Sequence, residues 1–258
     1  MAVDLMCIAP HGSIVIPELR YKTSAKKTWE GFNSIKSEID SLDIEHLVVI
    51  DPHDQINKMK FTYFDSENYN GYLKNGSLSI SKEYKSDPII NLLFRKISSN
   101  TQLFISNREE HSLSWGSFVP LYLLHSNQTL SLLSIDRNIP ELAIKSFGCK
   151  IYDMLNRVKQ KICIVFSCDL SHCHSKSNPK FPYNEYSKIY DDHVNKILEN
   201  SSVQEYNDIE KNIVSKARTD AHAQLTMLAG ICEKIGYKSH VLSYEVPSYF
   251  GMLTGIIK

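Results

Sequence analysis

Five residues of this chain have side chains that bind metals or move protons and stand just past short apolar runs. They are His11 in APHG, His53 in DPHD, His111 in EEHS, His172 in DLSHC and Glu245 in SYEVPSYFG. In an open α/β sheet, the crevice beyond the carboxyl ends of the strands is where sites are built. Two neutral imidazoles and a carboxylate brought together there form the facial triad of a non-haem Fe(II) oxygenase, with coordination positions left for substrate and oxygen. The other two histidines can then carry protons.

Each motif also has a plainer reading. His11 can cap the turn that Pro10 and Gly12 impose. Glu245 can be an edge-strand residue in water, although a carboxylate among apolar neighbours is costly to bury unless paired or metal-bound. His172 can be a ligand, an acid/base or a structural hydrogen-bonder. For His53 the ligand reading gains weight because the Pro-His pair recurs after a second strand, with Asp51 or Asp54 placed to orient the ring. His111 follows Glu109 and Glu110 and precedes an apolar run, WGSFVPL, suited to walling a flat substrate. His46, His125, His174, His193, His222 and His240 read as structural or solvated.

The elements that must position these residues alternate. Short apolar runs read as strands at 3–9, 46–51, 101–106, 129–135, 161–167 and 238–245, with a last strand within 249–257. Amphipathic stretches read as helices at 24–41, 88–98, 115–125, 137–159, 184–200 and across much of 204–236. Ser24 is a candidate N-cap for the first helix, and Gly148 a candidate break in the fourth. Residues 60–84 carry Asn70-Gly71 and Asn75-Gly76 and read as a loop with short strands and turns. This alternation predicts a parallel or mixed sheet covered by helices, and 258 residues without a linker suit one domain spanning 1–258.

Composition narrows the function classes. The 29 basic and 29 acidic residues cancel, so strong electrostatic capture of nucleic acid is not expected. No apolar run approaches the roughly 20 residues that span a bilayer, and the N-terminal run reads as a strand rather than a signal peptide. Several of the six cysteines (Cys7, Cys149, Cys163, Cys168, Cys173, Cys232) lie in apolar runs, as free thiols of a cytoplasmic protein do. There is no GxSxG elbow, P-loop or dinucleotide GxGxxG. A homodimer is the default oligomer.

Taken in order, APHG, DPHD, EHSLSWGSFVPL, SCDLSH and YEVPSYFG resemble the LigB-type extradiol ring-cleaving dioxygenases, from about residue 5 to 255. The resemblance implies a three-layer α/β/α domain with a mixed, mainly parallel sheet. It implies Fe(II) held by His11, His53 and Glu245, with His172 as active-site acid/base and His111 as a second pocket histidine near substrate and oxygen. Substrates would be a small aromatic diol and O2. EEHS and the DLSH context are also similar to the Memo-type branch, which usually has a cysteine as third metal ligand. A Memo-like metal-binding protein, or a Zn(II) enzyme on the same scaffold, is the alternative.

Overall fold

The computed structural model describes residues 3–22, 24–54, 56–99 and 101–258. Its centre is four adjacent parallel strands: β1 (Val3–Ala9), β9 (Ile162–Ser167), β2 (His46–Asp51) and β8 (Thr129–Ile135). Every residue of β2 and β9 is buried. That explains the unbroken apolar runs at their middles, since a parallel strand covered on both faces has no polar side to show. On each flank the next strand joins this centre antiparallel. On one side lie β11 (Met252–Ile257) and β10 (Ser239–Glu245), on the other β3 (Phe61–Asp65) and β6 (Leu103–Asn107), giving the order β10-β11-β1-β9-β2-β8-β3-β6. β6 pairs parallel with its neighbour β3.

Period-two alternation divides the core. Met6, Ile8, Val48 and Ile50 face one apolar layer with α2 (Pro88–Ser98), α4 (Glu141–Leu155), α5 (Tyr186–Glu199) and α7 (His222–Cys232). Leu5, Cys7, Leu47 and Val49 face the other layer, with α1 (Lys26–Ser41) and α3 (Trp115–Leu124). The α/β/α arrangement with a mixed sheet therefore follows directly from the strand pattern.

Some local expectations change. Ser24 does not cap α1. The N-cap position is Ala25, which makes no side-chain cap bond. The aromatic stretch after residue 60 is more ordered than a loop. It supplies β3 to the main sheet and then a hairpin of β4 (Asn68–Asn75) and β5 (Leu78–Lys85), joined by β7 (Glu110–Ser112) in a small second sheet. Asn75-Gly76 makes the hairpin turn, with Gly76 at φ 59°. Asn70-Gly71 instead lies within β4, where the ring of Phe118 from α3 occupies the space that a side chain at Gly71 would need.

Gly148 does not break α4, which runs unbroken through it. It and Gly230 let α4 and α7 pack backbone to backbone. A Cβ on Gly230 would lie 2.6 Å from the Cα of Lys145, and one on Gly148 would lie 2.6 Å from Met227 Cγ. The obstacle at Gly230 is main chain, which cannot rotate away. Gly230→Ala should therefore destabilise the fold by about 1–3 kcal/mol through overpacking. A thermal melt should show this as a drop of about 2–4 °C per kcal/mol; an unchanged melting temperature would mean that the helices are not this close.

Candidate metal centre

Because β1, β9 and β2 are neighbours and run the same way, their C-terminal ends share one edge of the sheet. Ala9 pairs with Ser167, and Ile50 with Phe166. His11 stands two residues past β1, His53 two past β2, and Asp169 and His172 follow β9. Sequence-distant side chains thus meet because the ladders hold their strand ends level.

His11 Nε2 and His53 Nε2 are 3.0 Å apart. The carboxylate that joins them is Asp220, in the turn between α6 (Lys211–Ala217) and α7. Its Oδ2 lies 3.1 Å from His11 Nε2, 3.6 Å from His53 Nε2 and 3.8 Å from His172 Nε2. Its Oδ1 accepts a 2.9 Å hydrogen bond from the Asp169 amide. Donor atoms about 3 Å apart are what one ion with ligand bonds of about 2.0–2.2 Å requires. His11, His53 and Asp220 form a group able to hold a metal, and Asp169 and His172 form a second such group around the same Asp220.

The expected carboxylate, Glu245, is not in this group. Its Oε1 accepts from the backbone N–H of Thr28 at 2.7 Å and from Thr28 Oγ1 at 2.8 Å. Glu245 therefore caps the start of α1, where the helix has orphan N–H groups and a positive dipole end. It ends a strand on the same edge of the sheet as His11, but β11 stands between β10 and β1. The expectation that Glu245 stands with His11 and His53 is corrected: the carboxylate found beside them is Asp220. The segment RTDAHAQ offered little to find it by, since an acid just before an apolar helix reads as a cap.

The surroundings fix the ligand geometry. Ser167 Oγ donates to the carbonyl of Gly116, so toward His11 Nδ1, 3.1 Å away, it acts as acceptor. His11 then carries its hydrogen on Nδ1, and its Nε2 lone pair points at the group. Asp51 Oδ2 accepts from the amides of His53 and Asp54 and from Ser114 Oγ, which sets the His53 loop. Gly116 is required here. A Cβ there would sit 2.1 Å from Asp51 Oδ1 and 2.6 Å from His53 Cδ2.

His111 is placed differently from the expectation of a pocket histidine. It lies in β7 of the small sheet, buried against Phe64 at 4.1 Å between ring centres. Its Nε2 is 3.8 Å from Asp54 Oδ1, and it is not among the residues that line the cleft. It adjoins the His53 loop from behind. His172 does line the cleft. Its ring stands among Phe181, Tyr249 and Phe250, and its Nδ1 is buried with no hydrogen-bond partner among the described residues. The cleft has a volume of about 410 Å3, and Trp115 flanks His53 at 4.5 Å between ring centres.

The electrostatics are those of a site shaped for a cation. Burial opposes charging His11, but Asp169 and Asp220 outweigh it and raise its pKa from 6.5 to about 9. Burial works against Asp220 too, yet the imidazoles of His11, His53 and His172 hold it well below the usual carboxylate range. Burial and the nearby Asp54 push Asp51 up to about 6. Three acceptor atoms facing one another repel unless a proton or a metal stands among them, and in the metal-free chain His11 carries that proton.

This makes a pH prediction for the metal-free protein. His11 binds its proton more tightly folded than unfolded, so the stabilisation is complete below pH 6.5 and is lost as pH rises through about 9. Burial also lowers the pKa of His46, His125 and His222 and raises that of the buried thiols, contributions that the wild type and a His11 variant share. Thermal melts in chelator should therefore fall between pH 6.5 and 9, and His11→Gln should flatten the slope. A wild-type profile as flat as the variant's would contradict the assignment.

The chain has recognisable relatives. The family described as the catalytic LigB subunit of aromatic ring-opening dioxygenase matches residues 5–253. Protein CA_C1420 of Clostridium acetobutylicum is 22% identical over 273 aligned positions, covering 100% of this chain. The chain spans 58% of that relative's length. Among solved structures, the uncharacterized protein JW3007 from Escherichia coli K12 superposes with a TM-score of 0.66 at 13% identity, over 98% of this chain and 99% of the other. At that identity the likeness concerns the fold alone.

Proposed function

Because the chain belongs to the LigB family, the catalytic subunits of aromatic ring-opening dioxygenases, we propose that it opens the ring of a small catechol-type diol with O2, using a divalent metal bound by His11, His53 and Asp220. One observation carries this reading. Two imidazole nitrogens and one carboxylate oxygen converge at 3.0–3.6 Å in a cleft that Trp115, Phe181, Tyr249 and Phe250 also line. Two histidines and a carboxylate are the ligand set of non-haem Fe(II) oxygenases, which keep positions open for substrate and oxygen. Bound there, Fe(II) would supply the Lewis acidity and redox chemistry that join diol to oxygen.

The chain's own residues do the rest. Trp115, Phe181, Tyr249 and Phe250 give a flat ring apolar surface to lie against. His172 is the group placed to take a proton from the diol. It lies beside Asp220 on the cleft wall, and Nδ1 has no competing partner among the described residues. A group that accepts and later returns a proton works best with a pKa near the operating pH, which suits an imidazole. Ser167 and Asp51 hold His11 and the His53 loop in place.

The test is metal binding followed by oxygen uptake. After anaerobic loading with Fe(II), the wild type should consume O2 with a catechol and form a ring-opened product. Asp220→Ala should lose metal affinity by about two orders of magnitude, whereas Glu245→Gln should keep it and lose only about 0.3–1 kcal/mol of stability, since its amide oxygen still accepts from Thr28 and only the charge at the helix start is gone. His172→Gln should bind metal and substrate but turn over about 10²–10⁴-fold more slowly. Uptake unaffected by Asp220→Ala, or metal binding lost in Glu245→Gln, would overturn the ligand assignment. Loading with Zn(II) without uptake under any metal would favour a hydrolytic zinc site instead.

A further inference from the structure

A second crevice lies at the opposite edge of the sheet. β3 runs antiparallel to β8, so the carboxyl ends of β3 and its parallel neighbour β6 point away from the metal cleft. Crevices beyond such ends are where α/β sheets build sites. A depression of about 600 Å3 opens there, between these strand ends, the start of β4, the end of β5 and α2. Main-chain bonds fix its rim. The amides of Glu67 and Asn68 donate to the Glu109 carbonyl at 3.2 and 3.3 Å, and the Arg108 amide donates to the Asp65 carbonyl at 3.2 Å. Only Pro88 among the lining residues is apolar, so the hollow offers no shelter to a ring or an alkyl chain.

Its polar groups are of both signs. Arg95 is locked in place, because its Nε and Nη2 donate to the two oxygens of Asp65, whose side chain is only 2% exposed. Three of the five guanidinium donors are left, in a fixed plane, for an outside partner. Glu67 and Glu109 are exposed, brought together by the main-chain bond between them, and have no ion-pair partner among the described residues. Lys85 and Arg108, equally unpaired, balance them, so the hollow as a whole favours neither a cation nor an anion. Ser66, between Asp65 and Glu67 in this wall, is 2% exposed, and its Oγ finds no hydrogen-bond partner among the described residues. Buried hydroxyls are seldom left without a partner, so one in the wall of a depression marks a place for a bound group.

We propose that this depression binds a small zwitterion with an ammonium and a carboxylate, a free amino acid or a short peptide, its carboxylate on Arg95 and its ammonium between Glu67 and Glu109. A fixed guanidinium fork matches a carboxylate, and two carboxylates side by side match an ammonium. The test is calorimetry on the metal-stripped, dialysed chain, so that chelation in the metal cleft is excluded. The probes are the common L-amino acids and Gly-Gly, then the tightest binder as its N-acetyl and its amide derivative, which lack the ammonium and the carboxylate in turn. The zwitterion should bind at least about tenfold more tightly than either derivative, as charge-assisted contacts imply. Glu67→Gln with Glu109→Gln, both exposed positions, should abolish the difference from the N-acetyl form. Arg95→Lys, which keeps a cation beside buried Asp65, should abolish the difference from the amide. Ser66→Ala breaks no internal bond, so it should weaken binding about three- to tenfold at an unchanged melting temperature. Gly-Gly tighter than every amino acid would identify the ligand as a peptide, and the reverse as a free amino acid. No binding by any zwitterion, equal affinity for a blocked derivative, differences that survive these substitutions, or full affinity in Ser66→Ala would overturn the proposal.

Discussion

Three acceptor atoms, His11 Nε2, His53 Nε2 and Asp220 Oδ2, lie 3.0–3.6 Å from one another in a largely buried cleft, and the rest of the structure makes sense around that crowding. Unscreened lone pairs at this range would push apart in a flexible chain. They stay together because each is fixed from behind: His11 by Ser167 and the Asp169 carboxylate, which accepts from the His11 amide, His53 by Asp51, and Asp220 by the Asp169 amide. In the metal-free chain the proton on His11 relieves the repulsion, and a metal would take its place, which links folding, protonation and metal binding at one place.

The scaffold that resists this repulsion is the parallel centre of the sheet. Ladder bonds between β1, β9 and β2 level their C-terminal ends, and α3 is drawn close enough for Gly116 to touch the His53 loop. The packing extends outward from there. Glycines at 148 and 230 bring α4 and α7 into backbone contact, and α7 begins two residues after Asp220. A helix that packs tightly against the sheet thus also locates Asp220 at its start.

Much of this was legible in the residues. Apolar runs marked the parallel strands because strands buried on both faces have no polar side, and the Pro-His pairs marked two strand ends at which a histidine turns into the crevice. The carboxylate was not legible. Glu245 and Asp220 carry the same chemistry, and Glu245 follows a strand as His11 and His53 do. Only the strand order shows that β11 intervenes and that α1 claims the carboxylate through Thr28. His111 was misplaced for a similar reason. Its strand belongs to a second sheet whose pairing with β4 cannot be read from local pattern, and this puts the ring behind the His53 loop instead of in the cleft.

The most direct measurement is anomalous diffraction at the metal absorption edge from crystals of the Fe(II)- or Zn(II)-loaded protein. The account predicts one strong peak within bonding distance, about 2.0–2.2 Å, of His11 Nε2, His53 Nε2 and an Asp220 oxygen. No peak among these three after loading, or a peak at Glu245, would contradict it.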